Sequence, residues 1–188
     1  DSVRAILRLL DQGERAIKAD PTRIRENIER LGGPPRGFEN AVEALKESGE
    51  YAVPFIVQYL RDPAKRALMQ PILRCLPAID RPALNPLVIA LRMADLTTKR
   101  YLIETLGRIG YVQAAPYLRQ LMEDEQTPHE VRSVAQAALD AIGQRATATA
   151  LPASAAEAFF ALAQDYYNDQ ASLAADVRLD TANVWYWR

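Results

Sequence analysis

The sequence contains few of the residues that catalytic and metal-binding sites require. It has one histidine and one cysteine in 188 residues, which excludes a multi-histidine metal site and an intramolecular disulfide. No glycine-rich motif of the kind that cradles phosphate occurs. The longest run drawn only from Ala, Val, Ile, Leu, Met, Phe, Trp, Tyr and Cys covers residues 158–163, whereas a membrane-spanning helix needs roughly 20 residues. We therefore expect a protein with no membrane span, no metal, no cofactor and no catalytic residue, and hence not an enzyme.

The charge balance also argues against a dedicated nucleic-acid-binding protein. The formal net charge is −1, although residues 51–110 carry 9 Lys/Arg against 4 Asp/Glu. Clustered positive charge supplies most of the affinity of proteins for nucleic acids, so we expect no such partner. The chain does not open with a basic segment followed by an apolar one, so no targeting signal is visible. A lone cysteine is typical of a reducing compartment, which favours a cytoplasmic location.

The two residues with the most reactive side chains both have a structural explanation. His129 lies in a Thr-Pro-His-Glu segment, in which Thr127 and Glu130 would form a capping box at a helix start. Cys75 lies between apolar residues of a helix, which favours an inert buried thiol. The run Glu123-Asp124-Glu125 is interpreted as a solvated loop, because consecutive helical residues point in different directions.

Apolar residues follow helical periodicity almost throughout the chain. Val3, Ile6, Leu7 and Leu10 fall on one face of an amphipathic helix. A second helix should end at the Gly-Gly-Pro-Pro run of residues 32–35. Since no long stretch alternates with period 2 before the last few residues, we predict an all-α protein.

These helices recur as a repeat. Alanines 31 residues apart are each followed four residues later by an aliphatic residue and are each preceded by a helix that contains a leucine near its end. A fourth helix of the same kind follows. The alanines are Ala52, Ala83 and Ala114, the aliphatic residues are Ile56, Leu87 and Leu118, and the leucines are Leu45, Leu76, Leu106 and Leu139. We number the three full repeats 1 to 3; each consists of a helix A, a short turn and a helix B.

The phrase Leu-Gly-Arg-Ile-Gly at residues 106–110, followed by Ala-Ala-Pro-Tyr-Leu at residues 114–118, resembles the short HEAT-like repeats of the phycobilisome-lyase type. Repeat 2 departs from this pattern, because Asn85 replaces the proline at the start of its B helix and Pro77 replaces a glycine. The resemblance implies an α-α superhelix, a right-handed solenoid of antiparallel helix pairs. We predict N-terminal capping helices over residues 1–35 and the repeat array over residues 36–143.

The remaining residues have a different character. Residues 144–154 are a low-complexity segment that predicts a linker. Residues 155–188 contain an amphipathic helix that is similar to the first helix of a TPR-like unit, and they end in the aromatic run Trp185-Tyr186-Trp187. We expect this segment to begin a further domain.

The resemblance further implies that the B helices line a concave surface. That surface would mix aromatic and polar residues, as the core of a protein interface does. We therefore predict a non-catalytic scaffold or protein-interaction module that binds a partner protein or another domain of the same chain. A bilin-lyase-like subunit and a HEAT-like DNA-binding or DNA-glycosylase-like protein are the alternatives. The predicted binding residues are Phe55, Gln58, Tyr59, Ile89, Arg92, Tyr117 and Gln120.

Overall fold

A computed structural model describes residues 2–93, 95–146, 151–168, 170, 173 and 183–187, and these residues form helices and connecting turns without any β-strand. The prediction of an all-α protein is confirmed for this part of the chain. The α-helices are α1 (Ser2–Lys18), α2 (Pro21–Arg30), α3 (Pro35–Ser48), α4 (Ala52–Arg61), α5 (Met69–Cys75), α6 (Leu84–Ala90), α7 (Leu96–Ile109), α8 (Ala115–Glu123), α9 (His129–Arg145) and α10 (Ala155–Tyr167). Short 3₁₀ segments cover Gly49–Tyr51, Pro63–Leu68, Leu76–Ile79, Arg81–Ala83 and Val112–Ala114.

The chain divides into two compact units. The first compact unit comprises Asp1–Pro82 with Ala175–Val184, and the second comprises Ala83–Ala174 with Trp185–Arg188. The boundary falls inside predicted repeat 2, whose A-helix segment lies in the first compact unit and whose B helix, α6, lies in the second.

Side-chain caps and prolines explain where several helices begin. Asp20 accepts a hydrogen bond from the Thr22 N–H at 2.9 Å ahead of α2, and Asp95 accepts from the Thr97 N–H at 3.0 Å ahead of α7. Both aspartates satisfy a backbone donor that has no partner inside its helix. The predicted stop at residues 32–35 is confirmed, because α2 ends at Arg30 and α3 begins at Pro35.

The turns that end three A-helix segments each contain a residue with a positive φ angle. Gly49, Asp80 and Gly110 have φ values of 57°, 64° and 83°. They occupy equivalent positions, four residues after the repeat leucine, and glycine adopts such angles without the steric cost that a side chain brings. The fourth helix differs, since α9 continues past Gly143, which lies four residues after Leu139, and ends at Arg145.

The predicted repeat positions are buried. The four repeat leucines are at most 2% exposed, and the repeat alanines and the aliphatic residues that follow them are fully buried. In repeat 2 the A helix is short, because α5 changes into the 3₁₀ segment Leu76–Ile79. Pro77 lacks the N–H that would extend the α-helical hydrogen-bond pattern, which accounts for the change.

Helices α7 and α9 pack closely at one glycine. A Cβ atom built on Gly107 would lie 2.9 Å from both the Cα and the Cβ of Ala138, which is nearer than real Cβ atoms approach. The absence of a side chain at Gly107 therefore sets how close these two helices come.

Helix α1 presents its apolar face to solvent. Val3, Ile6, Leu7 and Leu10, which mark the predicted amphipathic face, are between 54% and 70% exposed. The helix is confirmed, and its apolar face lies uncovered in the described part of the chain.

Candidate protein-binding surfaces

The predicted binding residues fall into two groups, one in each compact unit. Phe55, Gln58 and Tyr59 lie on α4 in the first compact unit. The others belong to the second compact unit, on α6, directly after it, or on α8; they are Ile89, Arg92, Tyr117 and Gln120.

Helix α4 directs its aromatic residues to the flank of its buried face. Val53, Ile56, Val57 and Leu60 are buried, so the neighbouring aromatic side chains are half-buried and Gln58 is exposed. The guanidinium carbon of Arg25 on α2 lies 4.8 Å from the centroid of the Phe55 ring. At that distance a cation is attracted to the negative face of the ring.

A charged cluster surrounds the second aromatic residue of α4. The Tyr59 hydroxyl donates to Glu29 Oε1 at 3.0 Å, and the Lys65 ammonium donates to the same oxygen. Lys65 Nζ also lies 5.1 Å from the centroid of the Tyr59 ring. The cluster joins α2, α4 and the Pro63–Leu68 segment; Glu29 is exposed, and Tyr59 and Lys65 are half-buried.

The electrostatics of this cluster follow from these contacts. The Lys65 ammonium beside Glu29 holds the pKa of that carboxyl below its usual value, and Glu29 in turn raises the pKa of Lys65. Partial burial, and then the hydrogen bond to Glu29, raise the pKa of the Tyr59 phenol. Tyr59 therefore acts as a neutral donor at physiological pH.

The sequence pattern does not predict Arg25, Glu29 or Lys65 as members of a site. The last two lie 30 and 36 residues from their partners in the cluster, and nothing in the periodicity of α2 relates it to α4. Only the tertiary structure shows which charged residues lie beside the aromatic residues of α4.

In the second compact unit, α10 packs on α8 at the predicted binding position. The rings of Tyr117 and Phe159 meet edge to face, with centroids 5.1 Å apart and an interplanar angle of 81°. Burial is the main cause of a raised pKa for Tyr117, which the positive charge of Arg92 partly opposes. Gln120 and Arg92 are exposed, and Ile89 is half-buried.

The start of α10 is fixed by two carboxylates. Ser154 and Glu157 form a capping box, in which the Glu157 N–H donates to the Ser154 hydroxyl at 3.2 Å and the Ser154 N–H donates to the Glu157 carboxylate at 3.3 Å. The N–H of Ala155 donates to Glu123 Oε1, at the end of α8, at 2.7 Å. Glu123 thus places a negative charge against the positive end of the α10 dipole.

The two faces of α10 have different surroundings. Ala155 and Ala158 are buried, and Phe159 and Leu162 are half-buried. Phe160, next to the docked Phe159, is 65% exposed. Helix α10 therefore covers part of α8 with one face and leaves the other to solvent. In the aromatic run at the end of the chain, Trp185 and Trp187 are half-buried and Tyr186 is exposed.

His129 is exposed at the first residue of α9, and the predicted capping box ahead of it is wrong. The N-cap of α9 is Pro128, and no side chain caps this helix. Thr127 therefore lies one residue before the N-cap, and its hydroxyl donates to Asp124 Oδ2 at 2.8 Å. This bond and the Gln126 N–H hold the pKa of Asp124 below its usual value.

Cys75 is fully buried, and burial raises the pKa of its thiol to about 12. The predicted burial of the thiol is confirmed.

Comparison with known proteins does not place the chain in a family. No protein-family profile matches it, and no curated protein sequence matches it. Within the described ranges, no helix has both the length and the apolar character to cross a bilayer. The same part of the chain brings together no group of three or more His, Cys, Asp or Glu side chains suited to a metal ion.

Proposed function

We propose that this protein is a non-catalytic scaffold whose B helices bind helical segments of a partner protein. The observation that carries the proposal is the packing of α10 on α8, where Tyr117 meets Phe159 edge to face. Tyr117 was chosen from sequence as a binding residue, and in the structure it contacts an amphipathic helix. Large aromatic residues on rigid helices bury much area at a small entropic cost, which suits them to this role.

We further propose that the helix pairs stack as a HEAT-like right-handed superhelix, with α4, α6 and α8 on its concave side. The positive φ angles at the equivalent positions 49, 80 and 110 support this, because a repeated structural unit is expected to end its A helix in a similar way. The match is close for Gly49 and Asp80, with ψ angles of −127° and −141°, whereas Gly110 is left-handed helical with a ψ of 17°. The burial of equivalent leucines supports it as well. Stacked repeats of this kind offer an extended concave surface for binding.

Site-specific photocrosslinking tests the scaffold proposal. A photoreactive amino acid replaces Gln58 or Gln120, which are exposed residues of B helices, and the matched controls replace the exposed A-helix residues Glu39 and Glu104. We expect a specific crosslinked protein, identified by mass spectrometry, from the two B-helix positions and none from the A-helix positions. Equal crosslinking from all four positions would contradict a B-helix binding surface.

A further inference from the structure

The surface of α8 has the features of a receptor for a helix, and α10 shows how the helix is seated. At one end of the surface Glu123 accepts the Ala155 N–H, the first amide of α10, at 2.7 Å. Further along, Tyr117 contacts Phe159, the fifth residue of the helix. One contact sets the position of the helix along the surface, and the other selects an aromatic side chain.

The seated face of α10 follows a simple pattern. Small residues at its first and fourth positions, Ala155 and Ala158, are buried and allow the helix to approach closely. Phe159 follows at the fifth position and Leu162 at the eighth, both half-buried. These positions lie on one side of a helix.

We propose that the surface formed by Tyr117 and Glu123 is a receptor site for an amphipathic helix of a partner protein, and that α10 is its intramolecular occupant. The partner helix carries small residues at its first and fourth positions, an aromatic residue at its fifth and leucine at its eighth. The inference rests on the proposed scaffold function and names the chemistry of its partner. Because α10 and the partner compete for one surface, binding requires α10 to leave.

Helix α8 has a second packing partner besides α10. Ala115, Pro116 and Leu118 are buried, and α8 packs along α9. A tethered helix has an effective local concentration of about millimolar order, so it excludes a free competitor until its own affinity is lowered. Weakening α10 should therefore increase the apparent affinity for an external helix, since the fraction of open sites rises.

The test uses the full chain and a fluorescently labelled synthetic peptide of residues 152–168. Fluorescence anisotropy measures peptide binding to the wild-type protein and to Phe159→Ala. Phe160→Ala is the matched control, because it removes a phenylalanine ring from the next residue of α10, and that ring is exposed. We expect Phe159→Ala to bind the peptide at least about tenfold more tightly than the wild type does, and Phe160→Ala to match the wild type. Adding Tyr117→Ala to Phe159→Ala should weaken binding by about tenfold or more, because the receptor then lacks its aromatic contact.

A second variant that weakens the packing of α10 on α8 controls for a folding defect in Phe159→Ala. Ala158→Asp places a charge on the buried face of α10 and leaves α8 and α9 unchanged, so it should give the same gain in peptide binding. Retention of far-ultraviolet circular dichroism identifies the folded variants. A peptide that carries alanine in place of Phe159 should bind neither variant tightly.

Three results would overturn the inference. The first is that the peptide binds folded Phe159→Ala and Ala158→Asp no better than it binds the wild type. The second is that Phe160→Ala has the same effect as Phe159→Ala. The third is a wild-type dimer in light scattering that becomes monomeric in Phe159→Ala, because α10 would then be exchanged between copies. None of these results removes crosslinking through Gln58 in the first compact unit, so failure here is distinguishable from failure of the scaffold proposal.

Discussion

The contact between α7 and α9 at Gly107 allows a quantitative test of the packing. Replacing Gly107 with alanine places a Cβ atom 2.9 Å from the Cα and Cβ of Ala138, whereas ordinary contact begins at 3.4 Å. One of the two contacts is to a backbone carbon, so side-chain rotation cannot relieve it. The helices must separate by about 0.5 Å, which loosens the packing of the buried Leu106 and Leu139 beside them.

The net effect is the difference between two opposing contributions. Overpacking costs about 1–3 kcal/mol, and the backbone contact places Gly107→Ala in the upper part of that range. Alanine gains about 1 kcal/mol over glycine inside a helix. We therefore expect Gly107→Ala to lower the free energy of unfolding by about 1–2 kcal/mol.

Gly143→Ala is the matched control in the same compact unit. Gly143 also lies in a helix, but its added Cβ would meet only Leu151 Cδ1, at an ordinary 3.6 Å. This change should stabilise the protein by about 0.5–1 kcal/mol through helix propensity alone. Urea denaturation followed by circular dichroism at 222 nm measures both variants, and their midpoints should shift in opposite directions. If Gly107→Ala is as stabilising as Gly143→Ala, the close approach of α7 and α9 is wrong.

Three further changes test other parts of the structure. Leu106→Ala should cost about 2–5 kcal/mol because it leaves a cavity in the core, and an unchanged melting curve would show that the repeat register is wrong. Asp80→Gly should raise the free energy of unfolding by about 0.5–1 kcal/mol, since glycine relieves the strain of a positive φ; a lower urea midpoint would refute this. Because the folded-state pKa of Asp124 lies below its usual value, the stability that this group contributes is present at neutral pH and is lost as the pH falls through that depressed pKa. Thr127→Val should raise the pKa of Asp124, which carboxyl ¹³C NMR titration measures, and an unchanged titration would contradict the assigned hydrogen bond.

Periodicity alone predicted the helical class and the buried face of each repeat. Leu45, Leu76, Leu106 and Leu139 were chosen by spacing, and all four are buried. This succeeds because a helix that buries one face must place apolar residues every three or four positions. The periodicity of α10 indicates that this helix buries one face, but it does not indicate which helix covers that face. The packing of α10 on α8 was therefore not predicted.

The capping-box prediction was wrong because α9 begins one residue later than the pattern requires. The segment Thr127-Pro128-His129-Glu130 satisfies the capping-box pattern with Thr127 as the N-cap, yet the N-cap is Pro128, whose side chain offers no oxygen. A sequence pattern identifies a possible acceptor for a backbone N–H group, and the backbone geometry at the helix start decides whether the two groups meet. The Glu29 cluster shows the same limit over a longer range, because its partners come from separate elements.

The burial of Cys75 makes the chain well suited to site-directed spectroscopy. It is the only cysteine, it is fully buried, and its high pKa keeps the thiol protonated at the pH of labelling reactions. A cysteine introduced at exposed Gln58 or Gln120 is then the one thiol that a maleimide reaches quickly. A pair of spin labels at these two positions, one in each compact unit, reports the distribution of distances between the units in solution. The new cysteines can be introduced directly into the wild-type sequence, because no native cysteine has to be removed before labelling.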